Sequence, residues 1–87
     1  MIRYAMSFDD VVGSIAVSKS GNDKGSAYVI TKVVDDKFVL VVNGENRLLD
    51  TPKRKNIRHL SVTKNRTAAT SDLEIRKVLK EFGKRSE

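Results

Sequence analysis

A chain of 87 residues, 39% of them hydrophobic, has room for one small domain with a modest core. It contains no cysteine, which excludes disulfides and thiolate metal sites and fits a reducing, cytoplasmic setting. No apolar run approaches the roughly 18 residues of a membrane span, and the N-terminal MIRYAMSFDD lacks the apolar stretch of a secretory signal, so no membrane partner is expected. The net charge is +6, and its placement is one-sided. Five basic residues up to Gly44 are matched by five acids, while from Glu45 onward twelve basic residues face six acids. Such an excess is the expected footprint of a polyanion-binding surface, although the same charge would also serve a solvated face kept for solubility.

Met1 to Asp10 shows no clear period, and its Tyr4 and Phe8 are expected to cover a barrel edge. From Gly13 to Ser18, Ile15 and Val17 alternate with small residues, the pattern of a half-buried strand. The polar segment KSGNDKGS follows, with two glycines, two lysines and no bulky apolar residue, so it is expected to be an exposed loop. A second strand is expected near Ala27 to Val34, where Val29, Ile30, Val33 and Val34 can fill both faces. Asp35-Asp36 predicts a short turn, because aspartate side chains bond nearby backbone amides. Lys37 to Val42, the most apolar run, is expected to lie centrally.

Asn43-Gly44 between two β-runs predicts a type I′ hairpin turn. A fourth strand over Asn46 to Leu49 would then point Leu48 or Leu49 inward and end at Pro52. TPKRKN reads as a basic loop leading into a last strand, IRHLSVT, with Ile57, Leu60 and Val62 as its apolar residues. Five short strands joined by tight turns predict a mainly β fold, a small closed or nearly closed barrel. KNRTAAT reads as a linker. Ser71-Asp72-Leu73-Glu74 is a capping box. Ile75, Val78, Leu79 and Phe82 recur at helical spacing after it, and Gly83 is expected to stop the helix. Arg76, Lys80 and Lys84 form a basic row on another face, with Lys77 beside it. The expected organisation is a barrel over 9–63 followed by a linker and basic amphipathic helix over 64–87.

Ser18, Gly21, Asp23, Lys24 and Gly25, spaced as Ser-x-x-Gly-x-Asp-Lys-Gly between two β-runs, resemble the KOW motif of ribosomal proteins and transcription elongation factors. The likeness continues through Val34-Asp35-Asp36, Asn43-Gly44-x-x-Arg47, and Pro52-Lys53-Arg54-Lys55-Asn56 with His59-Leu60. Together these resemble the small bacterial KOW-domain RNA-binding proteins, which are similar to a KOW protein of the archaeal and eukaryotic large ribosomal subunit. The resemblance spans Asp9 to Thr63, about two thirds of the chain, and implies an SH3-like barrel that binds RNA, either ribosomal RNA or something on the ribosome. Family members often carry basic residues where this chain has Asn22 and Ser26, so this loop is less cationic than usual.

Eight residues are candidates for RNA contact. Lys19 and Lys24 would add charge to the loop and Asn22 a hydrogen-bonding edge. Lys53, Arg54, Lys55 and Arg58 concentrate four cations within six positions. His59 is the lone histidine and cannot build a metal site, so it reads as a structural hydrogen-bonder or a stacking residue. The glycines and Asp23 read as turn-makers, with Asp23 capping the loop backbone. For the basic segment the alternatives are a solvated loop or a nuclear import signal, but four cations within six positions on a loop fixed by Pro52 favour phosphate binding. Catalysis finds no support, since neither a nucleophile set nor a phosphate-loop fingerprint is present and adjacent carboxylates in a strand point to opposite faces. The chain reads as a non-enzyme without cofactor, and its leading function is RNA binding. The alternative is a protein-interaction module that docks on a ribosomal or transcription protein through the barrel and helix.

Overall fold

The computed structural model describes residues 11–85; the expectation for Tyr4 and Phe8 lies outside them. Five antiparallel strands form one sheet: β1 Ser14–Ser18, β2 Ala27–Val33, β3 Phe38–Val42, β4 Lys53–Asn56 and β5 Leu60–Arg66. A 3-10 turn over Ile57–His59 joins β4 to β5, and a single helix, α1, spans Asp72–Arg85. The spatial order is β4-β3-β2-β1-β5, so β2 rather than β3 is central. The 3-10 turn links the two outer strands of the curled sheet, giving a small SH3-like barrel.

Strand alternation explains the core. On one face Ala16, Tyr28, Ile30, Val39, Val41 and Leu60 fill the barrel interior. On the other, Ile15, Val29 and Val42 pack against Ile75 of α1. β1, β2 and β3 are therefore buried on both sides; the dense run of β2 leads one to expect this, whereas β1, expected to be half-buried, also packs Ile15 against α1 on its outer face. The β2–β3 register shifts between Ile30 and Lys32, which lets both Ile30 and Val33, three positions apart, face the interior cluster. The Asp35 carboxylate accepts from the amides of Lys37 and Phe38 at 2.8 and 2.9 Å, so the short turn forms as expected.

Several expectations fail here. The fourth strand is Lys53–Asn56, not Asn46–Leu49. The β3–β4 connection is not a two-residue hairpin but a folded segment in which the Asn43 side chain accepts from the amides of Glu45 and Arg47. Leu48 and Thr51 form an isolated bridge, and the Leu49 amide donates to Asp72 Oδ1 at 2.8 Å, which ties the segment to the start of α1. Pro52 thus precedes a strand instead of ending one. The last strand begins only at Leu60 and runs to Arg66, so KNR is strand rather than linker and Val62 is exposed.

The expected capping box forms in part: Ser71 Oγ accepts from the Glu74 amide at 3.1 Å, but the Glu74 carboxylate accepts from the Thr70 amide at 3.1 Å, one residue before the cap. The helix passes through Gly83 to Arg85, because one exposed glycine in a helix costs only about 1 kcal/mol and does not break it. Val78, Leu79 and Phe82 join Ile75 against the sheet. Among the described residues no helix is long and apolar enough to cross a membrane.

Candidate nucleic-acid interface

The loop between β1 and β2 has no apolar anchor, so its shape rests on hydrogen bonds. Ser18 and Ser26 pair at its base, where the Ser18 amide donates to Ser26 O and the Gly25 amide donates to Ser18 O, both at 2.9 Å. Gly21 and Gly25 hold φ of 86° and 92°, values that side-chain-bearing residues rarely adopt. Lys19, Asn22 and Lys24 are exposed on this frame.

Two backbone bonds then gather the neighbouring segments. The Lys19 amide donates to His59 O at 2.8 Å, which fixes the loop to the 3-10 turn. The Ile57 amide donates to Lys37 O at 2.8 Å, which fixes that turn to the Asp35–Lys37 turn between β2 and β3. The cations Lys19, Lys37 and Arg58 thereby come from three connected segments, with His59 exposed among them. Asn56 caps the 3-10 turn by accepting from the Arg58 amide at 2.9 Å. Arg54, on the outward side of β4, lies over the Phe38 ring with 4.0 Å to its centroid. A guanidinium held over an aromatic ring is a group on which a base can stack. Lys37 and Phe38 were not among the sequence candidates. The apolar run from Lys37 to Val42 puts Phe38 in a strand but gives no sign of its partner across the sheet.

Lys53 and Lys55 take a different course. Lys53 to Asn56, expected as part of a basic loop, is strand β4, and its side chains alternate. Arg54 points out, whereas Lys53 and Lys55 turn toward the loop and meet Asp23 at 3.1 and 3.0 Å. Lys55 is only 8% exposed. The Tyr28 hydroxyl donates to Asp23 Oδ2 at 2.7 Å. Ser18 Oγ lies 2.9 Å both from Asp23 Oδ1 and from the Ser20 carbonyl, so its one proton serves one acceptor at a time. Asp23 therefore binds side chains from β1, β2 and β4, rather than capping its own loop as the sequence suggested. The sequence signal was weak, because nothing in Gly-x-Asp-Lys-Gly names a partner thirty residues away.

Electrostatics follow from this geometry. Burial acts to raise the Asp23 carboxyl, but the donors Tyr28, Lys55, Ser18 and Lys53 outweigh it and hold the group well below the usual carboxylate range. Burial, together with the Asp23 carboxylate, pushes the Tyr28 hydroxyl up to about 12. Because Asp23 is depressed in the folded state, its contribution to stability is present above the ordinary value of 3.8 and is lost as pH falls below it. Tyr28 is raised, so its contribution is present below 10.0 and is lost as pH climbs toward about 12. Thermal unfolding followed by circular dichroism is expected to show a plateau between these limits. The Asp23→Asn variant should lack part of the acid fall, while the depressed Asp35 keeps the remainder. Identical acid limbs in the two proteins would contradict this assignment.

No family model matches the chain. It is similar to curated proteins named large ribosomal subunit protein eL14. The protein of Saccharolobus islandicus is 37% identical over 75 residues, covering 83% of this chain and 78% of the relative. That of Hyperthermus butylicus is 33% identical over 75 residues, covering 83% and 76%. That of Saccharolobus solfataricus is 37% identical over 73 residues, covering 80% and 76%. Residues 1–63 make up less than three quarters of the chain, so these alignments run past Thr63 into the segment that the motif resemblance left out. At this identity and coverage, the chain belongs to the family of the large ribosomal subunit protein eL14.

Proposed function

We propose that the chain is a non-enzymatic RNA-binding module of the large ribosomal subunit. It grips structured ribosomal RNA with the barrel end where the 19–26 loop, the 35–37 turn and the 57–59 turn meet. The observation that carries this reading is the pair of backbone bonds that join the three segments, Lys19 to His59 and Ile57 to Lys37. They connect the stretches that carry Lys19, Lys37 and Arg58, which supports a shared surface on which each cation neutralises a phosphate. Exposed Lys19, Asn22, Lys24, Arg54, Arg58 and His59 form the proposed contact set, with Lys37 added. Lys53 and Lys55 act through Asp23 rather than on phosphate.

The test is filter binding of the purified chain to large-subunit ribosomal RNA across a potassium chloride series, with duplex DNA as competitor. Affinity is expected to fall steeply with salt. Replacing Lys24, Arg54 and Arg58 together with alanine should flatten the log–log slope by about 2 to 3, roughly one per lost phosphate contact. RNA binding that is absent at low salt, or a slope untouched by the triple variant, would end this reading. DNA that competes as well as RNA would redirect it to nucleic acid in general.

Protein docking through the helix has less to support it. Ile75, Val78, Leu79 and Phe82, the stripe such docking would use, lie against the sheet. Leu73, at 51%, is the most exposed large apolar residue of the helix.

A further inference from the structure

The loop that presents Lys19, Asn22 and Lys24 contains no residue able to anchor it in a hydrophobic core, and glycines at positive φ interrupt it twice. Its tie to β4 is the Asp23 side chain, which reaches Lys53 Nζ at 3.1 Å and Lys55 Nζ at 3.0 Å. The same carboxylate takes the Tyr28 hydroxyl at 2.7 Å and faces Ser18 Oγ at 2.9 Å. Both of its oxygens are therefore occupied, by groups from β1, β2 and β4. The carboxylate side chain is only 16% exposed, and charge-assisted bonds in such a setting are strong and directional.

We propose that Asp23 is the positioning residue of the RNA interface: it clamps the loop to the barrel and keeps Lys53 and Lys55 away from phosphate. This rests on the RNA-binding reading above and adds to it a division of labour among the cations. Outward residues contact the ligand, and the inward pair holds the loop in shape. A positioned loop also loses less conformational freedom on binding, which is where preorganisation gains affinity.

The proposal has a consequence opposite in sign to plain electrostatics. Asp23→Asn makes the chain more positive by one and weakens the hold on two lysines. If charge alone governed binding, the variant would bind RNA more tightly and with a steeper salt dependence. If Asp23 positions the loop, the variant binds more weakly despite its added charge, by about tenfold, equivalent to ~1.4 kcal/mol.

The experiment compares wild type, Asp23→Asn and Tyr28→Phe as full chains. It measures affinity for labelled large-subunit ribosomal RNA and, without RNA, hydrogen exchange at the amides of Gly25 and Ser26. The expected result is faster exchange at those amides together with weaker binding in Asp23→Asn, and a smaller change of the same sign in Tyr28→Phe. Should Asp23→Asn fail to fold, Tyr28→Phe alone carries the test, because it removes one donor and no charge. Equal or tighter RNA binding by a folded variant overturns the proposal while leaving the RNA-binding reading intact. A wild type that binds no RNA removes that reading and the positioning role with it, and the exchange data then show only whether the clamp holds the loop.

Discussion

Gly44→Ala is expected to destabilise the protein by about 4 kcal/mol, the sum of left-handed backbone strain and a steric clash at a packed site. Gly44 is buried at φ 77°, directly beneath the first turn of α1. A Cβ there would run into the carbonyl oxygen of Asp72 and lie 2.8 Å from the amide nitrogen of Arg76. Both obstacles are backbone, so no rotamer change relieves them and the helix would have to lift from the sheet. At roughly 4–8 °C per kcal/mol for a domain of this size, the melting temperature should drop by more than about 15 °C. Gly25 supplies the control. Its φ is 92°, yet a Cβ would meet nothing within 4 Å, so Gly25→Ala should cost only the backbone strain, about 1 kcal/mol. Equal losses in the two variants, read by thermal unfolding, would show that contact with the helix is not what constrains Gly44.

Ile75→Ala should cost about 3 kcal/mol, within the range for removing a buried isoleucine from a packed core. Ile75 is fully buried and joins Ile15, Val29 and Val42 in a cluster on the sheet face opposite the barrel interior. A helix of 14 residues is marginal by itself in water, so α1 depends on this contact for its order. Hydrogen exchange should therefore show protection lost along the whole helix in Ile75→Ala. Leu73→Ala, at the exposed position two residues earlier, should stay within about 0.5 kcal/mol of wild type. A helix that keeps its protection in Ile75→Ala would mean that it is held by something other than this core. By the same dependence, loss of the helix would bare Ile15, Val29 and Val42 on the outer face of the sheet.

The candidate interface was legible in part. Lys19, Asn22 and Lys24 lie in a loop whose polarity and glycines mark it as exposed, whereas Arg58 and His59, expected within a strand, lie in the 3-10 turn; all five are exposed. Lys53 and Lys55 were indistinguishable from Arg54 in the sequence. An all-basic run has no apolar alternation, so neither its strand character nor the direction of each side chain leaves a pattern to read. The inward turn of Lys55 is set by a carboxylate on a loop thirty-two residues away. Arg54 over Phe38 depends likewise on the β3–β4 register, in which Phe38 faces Asn56 and Leu40 faces Arg54.

What the sequence determined by itself is what short-range physics controls. Alternating and dense β-branched runs specify β1, β2 and β3, Asp35 forms its turn, and Ser71 with Glu74 starts a helix whose stripe at Ile75, Val78, Leu79 and Phe82 must be buried. These depend on backbone preference, local capping and the periodicity of apolar residues, all of which act over a few positions. What only the tertiary structure decided is where distant groups meet. Gly44 lies under α1 instead of making a tight hairpin, and the segment after it docks on Asp72 rather than forming a strand. Asp23 clamps Lys53 and Lys55 instead of capping its own loop. In each case the deciding interaction joins residues more than twenty positions apart, and it exists only once the sheet has curled and the helix has closed over it.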